Sequence, residues 1–274
     1  MLPSLPPIVT IMQTRTGSSR LPAKVLMPLA GKPLFVQQVK RVQAAALCGM
    51  VVVATTTDNT DDVIENICIE EGFHCFRGHP TDLLDRHYQA ALYYEASVVV
   101  KIPSDCPLID PGIIDQVIGD YIIHQEQYDF VSNLHPATWP DGNDVEIMPI
   151  RVLEEAWQNA GKIFEREHTT PYIWERPEKY RIGNTVMPGG KDHSMVHRFT
   201  IDYIEDYHFI KAVYDELYAT NHLFTCDDII TLLEQRNDIF NINHRFAGIN
   251  WYRNHFDELK TVTPSQTKNM EQVS

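Results

Sequence analysis

Cations, hydroxyls and a glycine are concentrated in residues 15–24, close to the start of the chain. The segment contains Arg15, Gly17, Ser18, Ser19, Arg20 and Lys24. It follows residues 8–12, a short apolar and β-branched run that predicts a buried strand. Backbone N–H groups exposed by a turn, together with guanidinium and ammonium groups, suit a bound triphosphate. The spacing is neither that of a Walker A loop nor that of the dinucleotide fingerprint, so a solvated basic loop is the alternative.

Two aspartates stand near the predicted ends of strands. Asp105 follows the strand predicted over residues 97–102, and Asp202 follows the strand predicted over residues 197–201. Hard oxygen ligands on separate loops at one sheet edge suit Mg²⁺, which needs only one or two carboxylates when phosphates complete its shell. Either aspartate could instead cap a helix, Asp105 ahead of Pro107 and Asp202 ahead of Glu205.

Acidic residues and a histidine form a second candidate group, which we expect to contact an acceptor substrate. Asp144 and Glu146 lie two apart in a predicted strand, so their side chains share one face. Glu165 and His168 are neighbours on a predicted helix, and Glu167 lies between them in sequence. A solvated strand face, a second metal shell and a structural or basic histidine are the alternatives. The order of the residues is not that of H-E-x-x-H zinc proteases.

The elements that position these residues alternate in type along the first half of the chain. Strands are predicted at 8–12, 50–54, 73–76 and 97–102, and helices at 33–47, 61–71, 81–95 and 111–124. Nearly continuous apolar strands between amphipathic helices predict a doubly wound α/β fold with a mostly parallel sheet. Ligands of such sheets bind outside the carboxyl ends of the strands, where the segments after residue 12 and after residue 102 lie.

The alternation ends after residue 127, where we expect an antiparallel extension of the sheet. Further strands are predicted at 128–132, 144–148, 180–186 and 197–201, and helices at 152–160, 164–174, 205–218 and 227–234. We predict one domain over residues 1–260, with an acceptor and dimerisation elaboration over about 127–200. Residues 261–274 are expected to form a frayed polar tail.

Composition excludes several classes of function. With 37 acidic and 23 basic residues, the net charge of -14 would repel nucleic acid and anionic membranes. Five scattered cysteines without a C-x-x-C pair indicate reduced thiols in a cytosol. Neither a secretory signal nor a stretch of about 18 apolar residues is present. We therefore expect a cytoplasmic protein that binds a small polyanion at its basic segment.

Residues 15–24 resemble the signature of the cytidylyltransferases that activate sugar acids, approximately A-R-x-x-S-x-R-L-P-x-K. This family includes the acylneuraminate and 3-deoxy-manno-octulosonate cytidylyltransferases. The branch of the spore coat polysaccharide biosynthesis protein F is similar over nearly the whole chain. The shared blocks lie, in matching order, at residues 53–56, 76–86, 104–109, 141–146, 165–168 and 198–202.

The resemblance implies a GT-A-like, Rossmann-like nucleotidyltransferase fold and assigns roles to individual residues. Arg15, Ser18, Arg20 and Lys24 would hold the triphosphate, Gln13 would lie near the base, Ala54 and Thr55 would face the pyrimidine, and Asp105 and Asp202 would bind Mg²⁺. Gly17, Ser19 and Arg77 complete the expected nucleotide-binding set. Arg77 could equally belong to a surface ion-pair cluster with Asp82, Asp85 and Arg86.

The activity implied is transfer of CMP from CTP to a sugar acid, with pyrophosphate release, for surface or spore-coat polysaccharide. Arg20 and Lys24 would stabilise the departing charge. A homodimer is expected. The sequence departs from the family pattern at Ala23, where glycine is usual. Because alanine does not easily take a positive φ, we expect a right-handed or extended backbone there.

Two other classes of function stay open. A GT-A glycosyltransferase would use a finished nucleotide-sugar and a D-x-D motif, whereas the acidic pairs at 61–62 and 227–228 lack that spacing. A non-catalytic dimeric nucleotide-binding module would have no need of both the basic segment and the two aspartates. The identity of the base and that of the acid are also open.

Overall fold

A seven-stranded sheet runs through the centre of the computed structural model, which describes residues 6–18 and 20–268. The strands are β1 (Ile8–Gln13), β2 (Pro28–Leu29), β3 (Lys32–Pro33), β4 (Met50–Thr56), β5 (His74–Gly78), β6 (Val98–Pro103), β7 (Phe130–Ser132), β8 (Glu146–Pro149) and β9 (Ile182–Asn184). Strands β2 and β3 form a separate hairpin, and the central order is β5-β4-β1-β6-β8-β7-β9. The first four of these are parallel, whereas β8 runs antiparallel between β6 and β7. The predicted fold class is confirmed.

Helices cover both faces of the sheet. They are α1 (Leu34–Gln43), α2 (Asp62–Glu71), α3 (Leu83–Tyr93), α4 (Pro111–His124), α5 (Ile150–Asn159), α6 (Ile163–His168), α7 (Pro171–Trp174), α8 (Ile204–Leu217), α9 (Cys226–Gln235) and α10 (Asn237–Phe240). Alternate residues of the strands face opposite sides: Val53 belongs to the apolar layer that includes residues of α1, α4 and α8, and Val52 to the layer that includes residues of α3, α5 and α7. The carboxyl ends of β1, β4 and β6 therefore meet at one edge between two apolar layers.

Two predicted elements differ from the structure. The helix predicted over residues 164–174 is broken at Thr169, whose φ is 73°, into α6 and α7. Residues 197–201 do not form a strand. Instead, the N–H of Phe199 donates to the carbonyl of Asp141 at 2.6 Å, and that of Ile201 donates to the carbonyl of Asp105 at 2.9 Å. The segment therefore connects two loops at the edge of the sheet.

The carboxyl-terminal part packs against the body of the fold. The N–H of Thr261 donates to Glu175 at 2.9 Å, and Val262 is only 8% exposed. Residues 261–268 are thus packed where the sequence predicts fraying, and residues 269–274 lie outside the described residues. The five cysteines are free thiols, as expected. Among the described helices, none has the length and apolar character needed to cross a membrane.

Candidate active site

The ammonium of Lys24 lies between two carboxylates that belong to distant loops. Its Nζ atom is 3.1 Å from Oδ1 of Asp202 and 3.5 Å from Oδ2 of Asp105, and it donates to the carbonyl of Ile201 at 2.5 Å. Arg20 donates to the same Asp202 oxygen at 2.6 Å. The structure therefore brings together two of the three predicted catalytic cations and both predicted metal ligands.

The loop after β1 takes its shape from a left-handed residue. Ala23 has φ 53° and ψ 25°, so the expectation of a right-handed or extended backbone is wrong. The reason is a tight turn: the N–H of Ala23 returns to the carbonyl of Thr16 at 3.0 Å, and a 3₁₀ turn starts at Lys24. Thr16 is held in turn by Asp61, which accepts from its N–H and its hydroxyl, each at 2.7 Å. The turn thereby directs Lys24 towards the aspartates.

Both partners of this contact are charged at neutral pH. Burial lowers the pKa of Lys24, but Asp105 and Asp202 raise it further, so the net shift is upward. Burial raises the pKa of Asp202, but Lys24, Arg198 and Arg20 outweigh it and lower that pKa to about 2. The site is consequently a compact array of fixed charges.

Arg198 organises the aspartates beneath the site. Its side chain is 1% exposed and pairs with Asp141 at 3.1 Å, Asp202 at 3.1 Å and Asp206 at 3.0 Å. Asp206 accepts from the N–H groups of Asp202 and Tyr203, so it caps the start of α8 and the capping alternative for Asp202 is wrong. Arg198 has no role predicted from the sequence, although it opens the similar block at 198–202. Only its three-fold pairing shows that it positions Asp202.

A cavity of about 360 Å³ opens beside this array. Its walls include Gln13, Arg20, Asp105 and Asp202 from the nucleotide and metal predictions, and Asp144, Glu146, Glu167 and His168 from the acceptor prediction. Oε1 of Gln13 is buried without a hydrogen-bond partner among the described residues, so it is available to a ligand. The two predicted groups of residues thus share one cavity.

Glu146 is held by a buried cation. Its side chain, 2% exposed, pairs with Lys101 on the adjacent strand β6 and accepts from the Thr170 hydroxyl at 2.5 Å. Thr170 follows Thr169, the residue at which α6 and α7 are separated. Lys101 was missed at the sequence level, where one lysine within an apolar strand gives no indication of its partner.

The pKa of Asp144 is raised above its ordinary value, whereas the pKa of His168 is lowered. Burial, followed by the charge of Asp105, raises the pKa of Asp144 to about 6. Burial lowers the pKa of His168 to about 3, with Lys101 adding to the effect. His168 is therefore neutral and stacks on Trp251, with ring centroids 3.8 Å apart and planes inclined by 12°. Near neutral pH, only Asp144 of this pair can exchange a proton readily.

Among the described residues, the other nucleotide-binding predictions lie outside the cavity walls. Arg15 is exposed and has no ion-pair partner in the described part of the chain. Ala54 and Thr55 are fully buried within β4, and Ser18 accepts weakly from the N–H of Leu21 at 3.4 Å. Gly17 is exposed on the same loop, whereas Ser19 lies outside the described residues.

Arg77 lies on the edge strand β5, where its guanidinium binds to neighbouring groups of the protein. It pairs with Asp62 at 2.6 Å and Glu65 at 2.9 Å, and donates to the carbonyl of Thr56 at 2.9 Å. It is thus a surface ion-pair residue, although its partners differ from those predicted. Asp82 instead caps α3 and contacts Arg166.

The donor set at Asp105 and Asp202 fits Mg²⁺. Both carboxylates converge on one cation, the Lys24 ammonium, from separate segments of the chain. In the described ranges 6–18 and 20–268, no group of three or more His, Cys, Asp or Glu side chains could hold a metal by itself. Mg²⁺ needs only one or two protein carboxylates when phosphates supply its other ligands. The pair is therefore suited to a metal that arrives with a phosphate ligand.

Comparison with known proteins gives consistent matches. The family model described as Cytidylyltransferase matches residues 9–246. The chain is 32% identical over 239 residues to the spore coat polysaccharide biosynthesis protein SpsF of Bacillus subtilis, covering 84% of this chain and 95% of that protein. It is 28% identical over 192 residues to a 3-deoxy-manno-octulosonate cytidylyltransferase of Trichlorobacter lovleyi, covering 62% and 75%. A solved cytidylyltransferase of Leptospira borgpetersenii superposes with a TM-score of 0.80 at 32% identity, covering 86% and 97%.

Proposed function

Because the chain belongs to the cytidylyltransferase family, we propose that it transfers CMP from CTP to a sugar acid, with Mg²⁺ as cofactor and pyrophosphate as product. Family membership makes it a nucleotidyltransferase. The acceptor class is supported by the Trichlorobacter lovleyi relative, whose name specifies 3-deoxy-manno-octulosonate, a sugar acid. The Bacillus subtilis relative, named for spore coat polysaccharide, supports a role in surface polysaccharide synthesis. A homodimer and a cytoplasmic location complete the proposal.

The observation that carries the proposal is the position of Lys24 between Asp105 and Asp202, beside the cavity. Phosphate oxygens would take over the donors of Lys24 and Arg20, which bind and orient the two outer phosphates and stabilise the departing pyrophosphate. The aspartates, freed from Lys24, are the residues that would hold Mg²⁺. Bound there, the metal would supply charge neutralisation and orientation of the phosphates.

The other cavity residues support the acceptor side of the reaction. A hydroxyl of the acid attacks the α-phosphorus, the new O–P bond forms, and the bond to the β-phosphate oxygen breaks. Asp144 is our candidate to receive the hydroxyl proton, because its pKa of about 6 lies close to the working pH. His168 is a poor base at its pKa of about 3, so we assign it to acceptor contact. Glu146 and Glu167 complete the acceptor contacts.

The nucleotide half of the proposal is tested by thermal denaturation with each of the four ribonucleoside triphosphates, with and without Mg²⁺. We expect CTP with Mg²⁺ to raise the Tm most, since a ligand at 100 times its Kd stabilises by about 2.7 kcal/mol. Lys24→Ala should abolish the shift. Arg77→Ala removes a cation outside the cavity and should retain it. Equal losses in both variants, or no shift with CTP, would refute the assigned site.

A glycosyltransferase using a finished nucleotide-sugar is the alternative in the same broad fold. It would bind a diphosphate-linked donor and would not release pyrophosphate. Family membership favours the nucleotidyltransferase, and measurement of pyrophosphate separates the two reactions.

A further inference from the structure

The carboxyl-terminal part of the chain forms one wall of the cavity. Residues 248–253 and 265–266 line it, and all of them lie beyond residue 246, where the match to the family model ends. We call residues 248–268 the carboxyl-terminal wall. Its side chains therefore line the acceptor side of the cavity with residues that lie outside the family match.

The wall is fixed to the rest of the fold. Arg198 donates to the carbonyl of Ile249 at 3.2 Å, and Trp251 stacks on His168. Within the wall, Thr267 donates to the carbonyl of Gly248 at 3.1 Å and accepts from the N–H of Asn250 at 2.8 Å. These contacts link the wall to Asp202 through Arg198 and to the acceptor region through His168. Side chains of the wall are consequently held in place by contacts within the protein.

Carboxylates outnumber cations around the cavity. The acidic residues lining it are Asp105, Asp141, Asp144, Glu146, Glu167, Asp192 and Asp202, and the basic ones are Arg20, Lys101, Arg198 and Arg253. Three of these cations are already paired with carboxylates of the protein, namely Arg20, Lys101 and Arg198. An anionic acceptor entering such a cavity needs a positive charge that is still available.

Arg253 is the lining cation that has no carboxylate partner in the described part of the chain. Its Nη1 atom donates at 3.2 Å to the carbonyl of Asn250, the residue that precedes the short 3₁₀ turn Trp251–Asn254. This contact orients the half-buried side chain and leaves most of its planar donor fork for a ligand. Such a fork binds a carboxylate through two parallel hydrogen bonds.

We propose that Arg253 binds the carboxylate of the acceptor, so that the carboxyl-terminal wall selects acids over neutral sugars. This inference rests on the proposed function, because it concerns the acceptor of that reaction. Arg253 is a specificity-determining residue that touches the substrate away from the reacting phosphate. Its loss should weaken acceptor binding and leave CTP binding unchanged.

Isothermal calorimetry with the full chain tests this inference without requiring turnover. The probes are N-acetylneuraminate and 3-deoxy-manno-octulosonate, each with its carboxamide, titrated in the presence of Mg²⁺ and a CTP analogue with a methylene bridge between the α- and β-phosphates. Arg253→Ala should bind an acid about 10- to 100-fold more weakly than wild type, the usual effect of losing a charge-assisted contact. Arg253→Lys should recover part of the loss, and the variants should bind the analogue as wild type does.

Arg151→Ala is the matched control, because this exposed arginine lies outside the cavity and its partner Asp129 keeps Arg181. Preference for acid over carboxamide should persist in this control and disappear in Arg253→Ala. Equal acid affinity in wild type and Arg253→Ala, or failure of wild type to bind either acid, would overturn the inference. Release of pyrophosphate from CTP with a neutral acceptor would then show that the protein transfers a cytidylyl group and that Arg253 does not select acids.

Discussion

The Nζ atom of Lys24 lies 3.1 Å from the carboxylate of Asp202, although 178 residues separate them in the chain. The contact joins the loop that leaves the first strand to the segment that precedes α8. Arg198 holds the other oxygen of Asp202 from below at 3.1 Å. The geometry of the site therefore depends on residues from both halves of the chain, and its variants test the fold as well as the chemistry.

Ala23 carries a backbone penalty that glycine would remove. Its φ of 53° lies in the left-handed region, where an L-residue is disfavoured by about 1 kcal/mol or more. We expect Ala23→Gly to raise the free energy of unfolding by several tenths to about 1 kcal/mol, since greater freedom of the unfolded chain offsets part of the gain.

Urea denaturation measures this difference. Gly17→Ala in the same loop is the control, because a Cβ there would meet no atom within 4 Å and Gly17 has no positive φ. A destabilised Ala23→Gly protein would contradict the account of the turn.

The buried pair of Lys101 and Glu146 should be sensitive to the loss of one partner. Lys101→Met would leave the carboxylate of Glu146, 2% exposed, without its cation. We expect a loss of about 3 to 5 kcal/mol. The double variant Lys101→Met with Glu146→Gln should recover more than half of it, because no uncompensated charge is then buried.

Chemical denaturation of the two variants distinguishes the pair from ordinary packing. Equal losses in the single and double variants would show that the volume of Lys101, and not its charge, stabilises the strand.

Asp144 should reduce stability at alkaline pH. Its pKa of about 6 in the folded protein exceeds the value of 3.8 that is usual for aspartate, so folding favours the protonated form. The protonated side chain therefore contributes to the free energy of unfolding. This stabilisation is fully present below about pH 4 and is lost as the pH rises through about 6. In buffer without Mg²⁺, Asp144→Asn should therefore raise the Tm at pH 8 and leave it nearly unchanged at pH 3.5.

The side chain of Asp144 is half-buried, so solvent screens part of the effect of its charge. We expect Asp144→Asn to raise the free energy of unfolding at pH 8 by about 1 kcal/mol. The same variant should release pyrophosphate more slowly if Asp144 takes the proton of the acceptor. An equal change in Tm at both pH values would exclude the titration as its cause.

Arg198 should not tolerate replacement by lysine. A single ammonium cannot reproduce the fork that reaches Asp141, Asp202 and Asp206, and Asp206 is completely buried. We expect Arg198→Lys to cost about 2 to 4 kcal/mol. Arg236→Lys, at an exposed pair with Glu216 and Asp238, should produce no measurable change. Similar midpoints of denaturation for the two variants would contradict the organising role of Arg198.

The parts of the fold that could be predicted from sequence depend on local pattern. Strand β1 follows from its apolar run, and the start of helix α4 follows from Pro111 after the cap at Asp110. Both signals involve only neighbours in the chain. The proximity of Asp105 to Lys24 also followed from the sheet, because carboxyl ends of parallel strands meet at one edge.

The features that could not be predicted depend on distant partners. Residues 197–201 have the composition of a strand, but the carbonyls of Asp141 and Asp105 take their N–H groups in loops. Arg253 comes from a segment with no resemblance to a site, and contacts such as that of Arg198 with the carbonyl of Ile249 join this segment to the cavity. The backbone of Ala23 is set by the return to Thr16, which outweighs the preference of alanine.

The fate of the α-phosphorus of CTP shows whether the protein transfers CMP to an acid. Wild-type protein is incubated with Mg²⁺, CTP labelled at the α-phosphate, and 3-deoxy-manno-octulosonate or N-acetylneuraminate, and the products are separated by anion-exchange chromatography. We predict that the label appears in a conjugate with the acid, that unlabelled pyrophosphate forms in equal amount, and that Lys24→Ala reduces both at least 100-fold. Label that stays in CTP with both acids, or equal transfer by Lys24→Ala, would contradict the account.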